Sequence, residues 1–151
     1  GTHDFLNLCE TLGAEPYLAA NVGSSTVKEF TEYVEYVLHK SGSPMAEWRK
    51  QNGREEPWKV KYWGVGNEMW GCGGNMTAEH YANVYRQYAT FMTDWSNNDG
   101  LFRIASGANV DDYHWTEVLM RDIPKHLIEG VALHSYSFVE WNDKGSSIDY
   151  S

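Results

Sequence analysis

The sequence predicts an α/β protein in which a parallel sheet is covered by helices. Four apolar runs of strand length alternate with segments whose apolar residues recur at helical spacing. The second of these runs, Val60 to Val65, also stops abruptly at Gly66-Asn67-Glu68 and gives way to a glycine-rich loop. That places a carboxylate where a strand ends, at the edge of a parallel sheet where the loops line a shared crevice.

From Thr2 onward, Phe5, Leu8, Cys9 and Leu12 fall at helical spacing, and Gly13 supplies the stop. Residues 14 to 22 (AEPYLAANV) read as a mostly apolar strand ending in Asn21 and Gly23. Thr26 and Glu29 have capping-box spacing, and Phe30, Tyr33, Val34, Val37 and Leu38 share the helical face that follows. Gly42, Pro44, Gly53 and Pro57 then break the rhythm. This excursion carries Trp48 and Arg49, and Ser43-Pro44 has the form of a start for one short helix that Gly53 ends.

Residues 58 to 66 are the second strand. From Thr77, positions Tyr81, Val84, Tyr85, Tyr88, Met92 and Trp95 mark a long helix with an unusually aromatic buried face. Asn97-Asn98-Asp99-Gly100 is a turn cluster, and residues 102 to 108 (FRIASGA) are a third strand. A loop with Asn109, Asp111 and Asp112 leads into a helix from about Trp115 to Ile123, halted by Pro124. Residues 130 to 136 (GVALHSY) form the last strand, and residues 137 to 151 show no periodicity. Right-handed crossovers between such strands give a doubly wound sheet or a barrel, and four strands are about half of a (β/α)8 barrel. A chain that begins with a helix and ends just after a strand is expected to be cut from a longer one at both ends.

Composition narrows the partners. The 21 acidic and 12 basic side chains leave a formal charge of -9, with no basic cluster to follow a phosphate backbone, so nucleic acid is not expected as a partner. No apolar run approaches the roughly 20 residues of a membrane span. No signal-peptide pattern precedes the first helix, and Cys9 and Cys72 form neither a CxxC pair nor a disulfide framework, so the compartment stays open. Aromatic residues make up 15% of the chain, and flat amphipathic rings suit core packing and sugar stacking alike.

Glu68 is the first candidate for chemistry. A carboxylic acid that donates a proton near neutral pH needs a raised pKa, and burial among Trp63, Met69 and Trp70 would raise it by desolvation. The Asn67 amide beside it suits a substrate hydroxyl. A glutamate in such a turn is also commonly a solvated or salt-bridged residue, and spacing leaves both readings open. His134 and Tyr136 end the last strand on the same side by period-2 alternation, with no identifiable acid-base partner for His134. The six histidines show neither HxxxH nor Cys/His zinc spacing, so no metal is expected. Gly64 and Gly66 begin a nucleotide fingerprint that Met69 breaks. Cys72 has no assignable base and reads as an unreactive loop thiol. Asn75-Met76-Thr77 is formally a glycosylation sequon, and its threonine suits the N-cap of the long helix.

Three stretches together carry a family resemblance: GAEPYLAANVG (13 to 23), VKYWGVGNEMWGCGGNM (60 to 76) and LHSYS (133 to 137). With the opening GTHDFLNLCE, the chain resembles nearly end to end the catalytic barrel of glycoside hydrolase family 51, the α-L-arabinofuranosidases. The second motif is long and specific, whereas GNE alone is shared by many (β/α)8 glycosidases of the same clan. The resemblance implies a partial TIM (β/α)8 barrel, about strands three to six with their helices. It also implies that residues 1–151 are the central part of a glycosidase catalytic domain.

What the resemblance further implies is a retaining mechanism, with two carboxylates at barrel strand ends about 5 Å apart. Glu68 matches the family's general acid/base and Asn67 the residue that contacts the sugar 2-hydroxyl. Tyr136 matches the strand-six tyrosine beside the nucleophile. That nucleophile is a seventh-strand glutamate, which nothing in this sequence matches; Glu140 follows the sixth strand too closely. Trp70 and His134 are further candidates for substrate contact, and Trp48 rests only on its place in a loop. No cofactor is needed, the expected partner is an arabinofuranoside carbohydrate, and a homo-oligomeric parent enzyme is compatible with the pattern. Another retaining glycosidase of the clan and a non-catalytic carbohydrate-binding domain are the alternatives. An open half-barrel is expected to expose two sheet edges and an apolar face, which favours aggregation of the isolated chain.

Overall fold

The helices begin where local capping chemistry directs them. In a computed structural model, which describes residues 1–96, 100–136 and 138, helix α1 (Thr2–Leu12) stops at Gly13 in the left-handed region, φ 66°. Helix α2 (Val27–Leu38) opens on the expected capping box, with the Thr26 N–H donating to the Glu29 carboxylate at 2.7 Å and the Glu29 N–H donating to Thr26 Oγ1 at 3.2 Å. Ser43 caps α3 (Pro44–Gln51), Thr77 caps α4 (Ala78–Phe91) and Asp112 caps α5 (Tyr113–Asp122). A short 3-10 turn, Lys125–Leu127, follows α5.

Strands β1 (Tyr17–Ala19), β2 (Tyr62–Val65), β3 (Phe102–Asn109) and β4 (Gly130–His134) form one parallel sheet in the order β1-β2-β3-β4. Leu18 stands opposite Trp63, Trp63 opposite Arg103, and Ala105 opposite Val131. A doubly wound sheet reverses its strand order at a switch point, whereas a barrel adds each strand beside the last. The architecture is therefore a partial (β/α)8 barrel. One face of the sheet is covered by helices: fully buried Trp63 meets the rings of Phe30 and Tyr33 on α2 edge-on at 6.1 and 6.0 Å. On β1, Tyr17 lies against β2 so closely that a Cβ at Gly64 would sit 2.4 Å from its hydroxyl.

Several expectations shift. The α1 residues inside are Leu6 and Cys9, while Phe5, Leu8 and Leu12 stay exposed. Both leading strands are shorter than their apolar runs, because a ladder forms only where a neighbour stands opposite; Ala20, Val22, Trp58 and Val60 are buried outside it. Helix α4 ends at Phe91, and Trp95 beyond it packs edge-on to His39 at 4.2 Å. Of the turn cluster, residues 97 to 99 lie outside the described residues. The excursion at 39 to 57 is held by Arg49, fully buried, whose guanidinium donates to the carbonyls of Tyr36, His39, Lys40, Arg54 and Glu55.

At the strand ends the decisive contact is Tyr81 on α4. Its buried hydroxyl donates to the Val65 carbonyl on β2 and accepts from the Ser106 N–H on β3 at 2.8 Å, while its ring stacks on Trp115 at 5.5 Å. Tyr81→Phe leaves two buried backbone groups without this partner, at about 1–3 kcal/mol each. A loss of about 2–6 kcal/mol in urea unfolding is expected; a loss near zero would contradict the bridging role.

Candidate functional site

The candidate site is built on the loop that leaves β2. Gly66 takes φ 93° and Glu68 itself takes φ 47°, a left-handed conformation that costs a side-chain-bearing residue about 1–2 kcal/mol. The turn is held from several sides. Gly71 and Gly73 donate their N–H groups to the Glu68 carbonyl at 2.8 and 3.0 Å, and the Met69 N–H donates to Ser106 Oγ at 3.2 Å. Met69 is thereby sunk into the core while the Glu68 carboxylate stays partly exposed and faces the end of β4.

A second element brings its partners. Pairing between β3 and β4 shifts register between Ser106 and Asn109, and the Val110 N–H closes onto the His134 carbonyl at 2.7 Å. Such a bulge re-aims the side chains that follow it. His134 Nδ1 reaches 2.9 Å from Glu68 Oε1, and the Tyr136 hydroxyl donates to the same oxygen. The alternation that set His134 and Tyr136 on one side therefore holds past the end of β4. His134, expected to lack a partner, has Glu68. Tyr136, which the resemblance sets beside a nucleophile, contacts the acid/base candidate itself.

A third donor comes from the loop: Cys72 Sγ donates to Glu68 Oε2 at 3.1 Å. Sequence reasoning set Cys72 aside, although its spacing four residues after Glu68 in a glycine-rich loop was the available signal. Three donors reverse the expected electrostatics of Glu68. Hydrogen bonds from Tyr136, then Cys72 and His134, stabilise the anion, and together they outweigh partial burial and lower the pKa from its ordinary 4.5 to about 2. The expected elevation does not occur, since desolvation of the carboxylate still acts upward but is smaller than the effect of the three hydrogen bonds.

The other candidates are spread unevenly. Asn67 is exposed and lines a cavity of about 250 Å³ with Ala20, Asn21, Val22, Met69, Cys72 and Gly73. Trp70 is half-buried; its indole N–H donates to the Gly107 carbonyl at 2.9 Å, and its ring stands edge-on to His134 at 6.3 Å. It walls the site beside His134. Trp48 lies instead in a groove lined by α1, α2 and α3, with Tyr36 and Met45, and does not join Glu68. Ser137 and Glu140 lie outside the described residues. Among the described residues no cluster of three His, Cys, Asp or Glu side chains forms a metal site, and no helix is long and apolar enough to cross a membrane.

Comparison with known proteins gives the family of the chain. Residues 1–146 match the family described as the alpha-L-arabinofuranosidase 1 domain. This chain belongs to that family. An intracellular exo-alpha-L-arabinofuranosidase from Bacteroides ovatus is 51% identical to this arabinofuranosidase-family chain over its whole length, which covers 29% of that protein. Alpha-L-arabinofuranosidase C from Emericella nidulans is 45% identical over 59% of the chain and 18% of its own length. Among solved structures, the GH51 arabinofuranosidase from Xanthomonas axonopodis superposes with TM-score 0.84 at 44% identity, over 89% of this chain and 27% of that one. The Thermotoga maritima alpha-L-arabinofuranosidase, solved with arabinose, gives TM-score 0.78 at 33% identity over the same shares. The family chain thus spans less than a third of the length of these relatives.

The lowered Glu68 pKa has a definite sign. A folded value of about 2 against the ordinary 4.5 contributes stability that is fully present above 4.5 and lost as the pH falls through about 2. Glu68 in this arabinofuranosidase-family chain is expected to remain ionised at about pH 4, where an ordinary glutamate is mostly protonated. Carbon-13 NMR of the carboxyl group checks this, with Tyr136→Phe moving the midpoint upward. A midpoint at 4.5 in the unaltered chain would contradict the three-donor arrangement.

Proposed function

We propose that these residues form the central, acid/base-bearing part of the barrel of a retaining α-L-arabinofuranosidase. The enzyme hydrolyses terminal non-reducing arabinofuranosyl residues of arabinose-containing plant polysaccharides and oligosaccharides. The observation that carries the reading is Glu68 at the C-terminal end of β2 with His134, Tyr136 and Cys72 converging on it. Membership of the arabinofuranosidase family and the identity to the Bacteroides enzyme support the substrate class.

In this reading Glu68 protonates the leaving glycosidic oxygen while a second carboxylate attacks the anomeric carbon. Glu68 then takes a proton from the water that releases the sugar from the glycosyl-enzyme. The second carboxylate comes from the remainder of the enzyme, and the 151-residue chain by itself is expected to be inactive. That carboxylate also answers the electrostatic difficulty. Three donors hold Glu68 as an anion suited to the base half of the cycle. A negative charge about 5 Å away raises its pKa toward the acid half; once Glu68 has given its proton to the leaving oxygen and that charge is neutralised in the glycosyl-enzyme, the elevation is gone and Glu68 stays ionised as the base. In this reading the exposed Asn67 amide holds the sugar 2-hydroxyl, and Trp70 and His134 wall the sugar site. No cofactor takes part.

The test is Glu68→Ala in the natural-length polypeptide that carries this segment. Activity on substrates with poor leaving groups is expected to fall by about 10²–10⁴-fold, the usual contribution of a general acid. An activated aryl arabinofuranoside should be cleaved with much less loss at the glycosylation step and be rescued by azide. Wild-type turnover of a poor leaving group would remove Glu68 from the role.

A further inference from the structure

The two oxygens of the Glu68 carboxylate are not equivalent. Oε1 already accepts from the Tyr136 hydroxyl and faces His134 Nδ1. A carboxylate oxygen has about two lone-pair sites, so these partners fill Oε1. Oε2 accepts only from the Cys72 thiol among the described residues. Oε2 is therefore the oxygen with capacity to carry the transferable proton, and Cys72 is the group that touches it.

The loop places that thiol by construction. Gly71 and Gly73 fold back on the Glu68 carbonyl, the Asn75 N–H closes on the Gly71 carbonyl at 2.8 Å, and the Met76 N–H closes on the Met69 carbonyl at 2.8 Å. A Cβ at Gly73 would stand 1.9 Å from the Asn67 carbonyl oxygen, and one at Gly23 would stand 2.1 Å from the Gly73 carbonyl oxygen. The loop is thus clamped between β1's end and its own start, with Cys72 turned over the carboxylate.

We infer that Cys72 is a positioning residue for the acid/base reaction: its thiol steadies Glu68 Oε2 and sets how readily that oxygen gains and gives up the proton. The inference rests on the acid/base role proposed for Glu68. A thiol is a weak donor, so it fixes the oxygen without holding the anion as a hydroxyl would. The same contact acts in reverse on the cysteine, because the carboxylate beside it pushes the thiol pKa up and keeps Cys72 protonated although it is exposed. The titratable groups facing this pair are His134 and Tyr136 from the end of β4, both already bound to Oε1.

Two measurements on the natural-length enzyme separate this inference from the reading beneath it. Cys72→Ala removes the donor, so the basic limb of the kcat/KM profile on an unactivated substrate moves up by about 0.5–1 pH unit. Cys72→Ser keeps a donor and leaves the limb at or below its wild-type position. A purely structural role lowers activity without moving the limb, and an unmoved limb in a folded Cys72→Ala variant overturns the inference. The second measurement is independent of turnover: iodoacetamide labelling of Cys72 at about pH 8, followed by peptide mass analysis, is expected to accelerate several-fold in Glu68→Gln. Equal labelling rates in the two proteins would also overturn it. If Glu68→Ala keeps full activity while labelling still accelerates, the contact stands and the acid/base reading is what fails.

Discussion

The hydroxyl of Tyr81 is the contact on which the site depends. Where parallel strands give way to loops, the last backbone groups lose their ladder partners, and buried polar groups must still be paired. Tyr81 meets this demand for two strands at once, taking the Val65 carbonyl of β2 and the Ser106 N–H of β3. Ser106 passes the constraint on. Its hydroxyl accepts from the Met69 N–H, one residue past Glu68, and its carbonyl accepts from the Trp115 indole. The point at which β2 stops and the direction in which Glu68 leaves it are thus fixed from below by α4 and α5.

Above that layer the site is an anion holder. Three donors from two distant parts of the chain converge on one carboxylate, and the left-handed backbone of Glu68 is maintained by the glycine N–H groups that return to its carbonyl. An isolated carboxylate in this setting favours the charged form strongly. In the proposed two-carboxylate mechanism, the same arrangement would act as a balance. Fixed donors pull the proton off, a neighbouring negative charge keeps it on, and covalent chemistry at the neighbour switches that charge during the cycle. The donors also fix orientation, which a general acid requires as much as a matched pKa.

The starts of α2, α3 and α4 and the stop of α1 were legible in the sequence by itself because capping is a local exchange, whereas the end of α4 was not. Thr26 with Glu29, Ser43 before Pro44, Thr77 and Gly13 each act within four residues, and each did what its spacing indicated. The alternation of strands and helices, and the placement of Glu68 at a strand end, followed from the same short-range patterns. The three stretches at 13 to 23, 60 to 76 and 133 to 137 together indicated the family.

What lay across the sheet was decided only by tertiary structure. Strand order separated a barrel from a doubly wound sheet, because adjacency is not written in periodicity. The buried side of α1 went to Leu6 rather than Phe5, Leu8 and Leu12, since neighbours choose the face. His134 stands 66 residues from Glu68 in sequence and 2.9 Å from it in space. That contact, with those of Tyr136 and Cys72, turned an expected raised pKa into a lowered one. Residue types determined that a carboxylate would stand at the strand end; only the fold decided which donors would surround it, and a carboxylate's charge state is set by its surroundings.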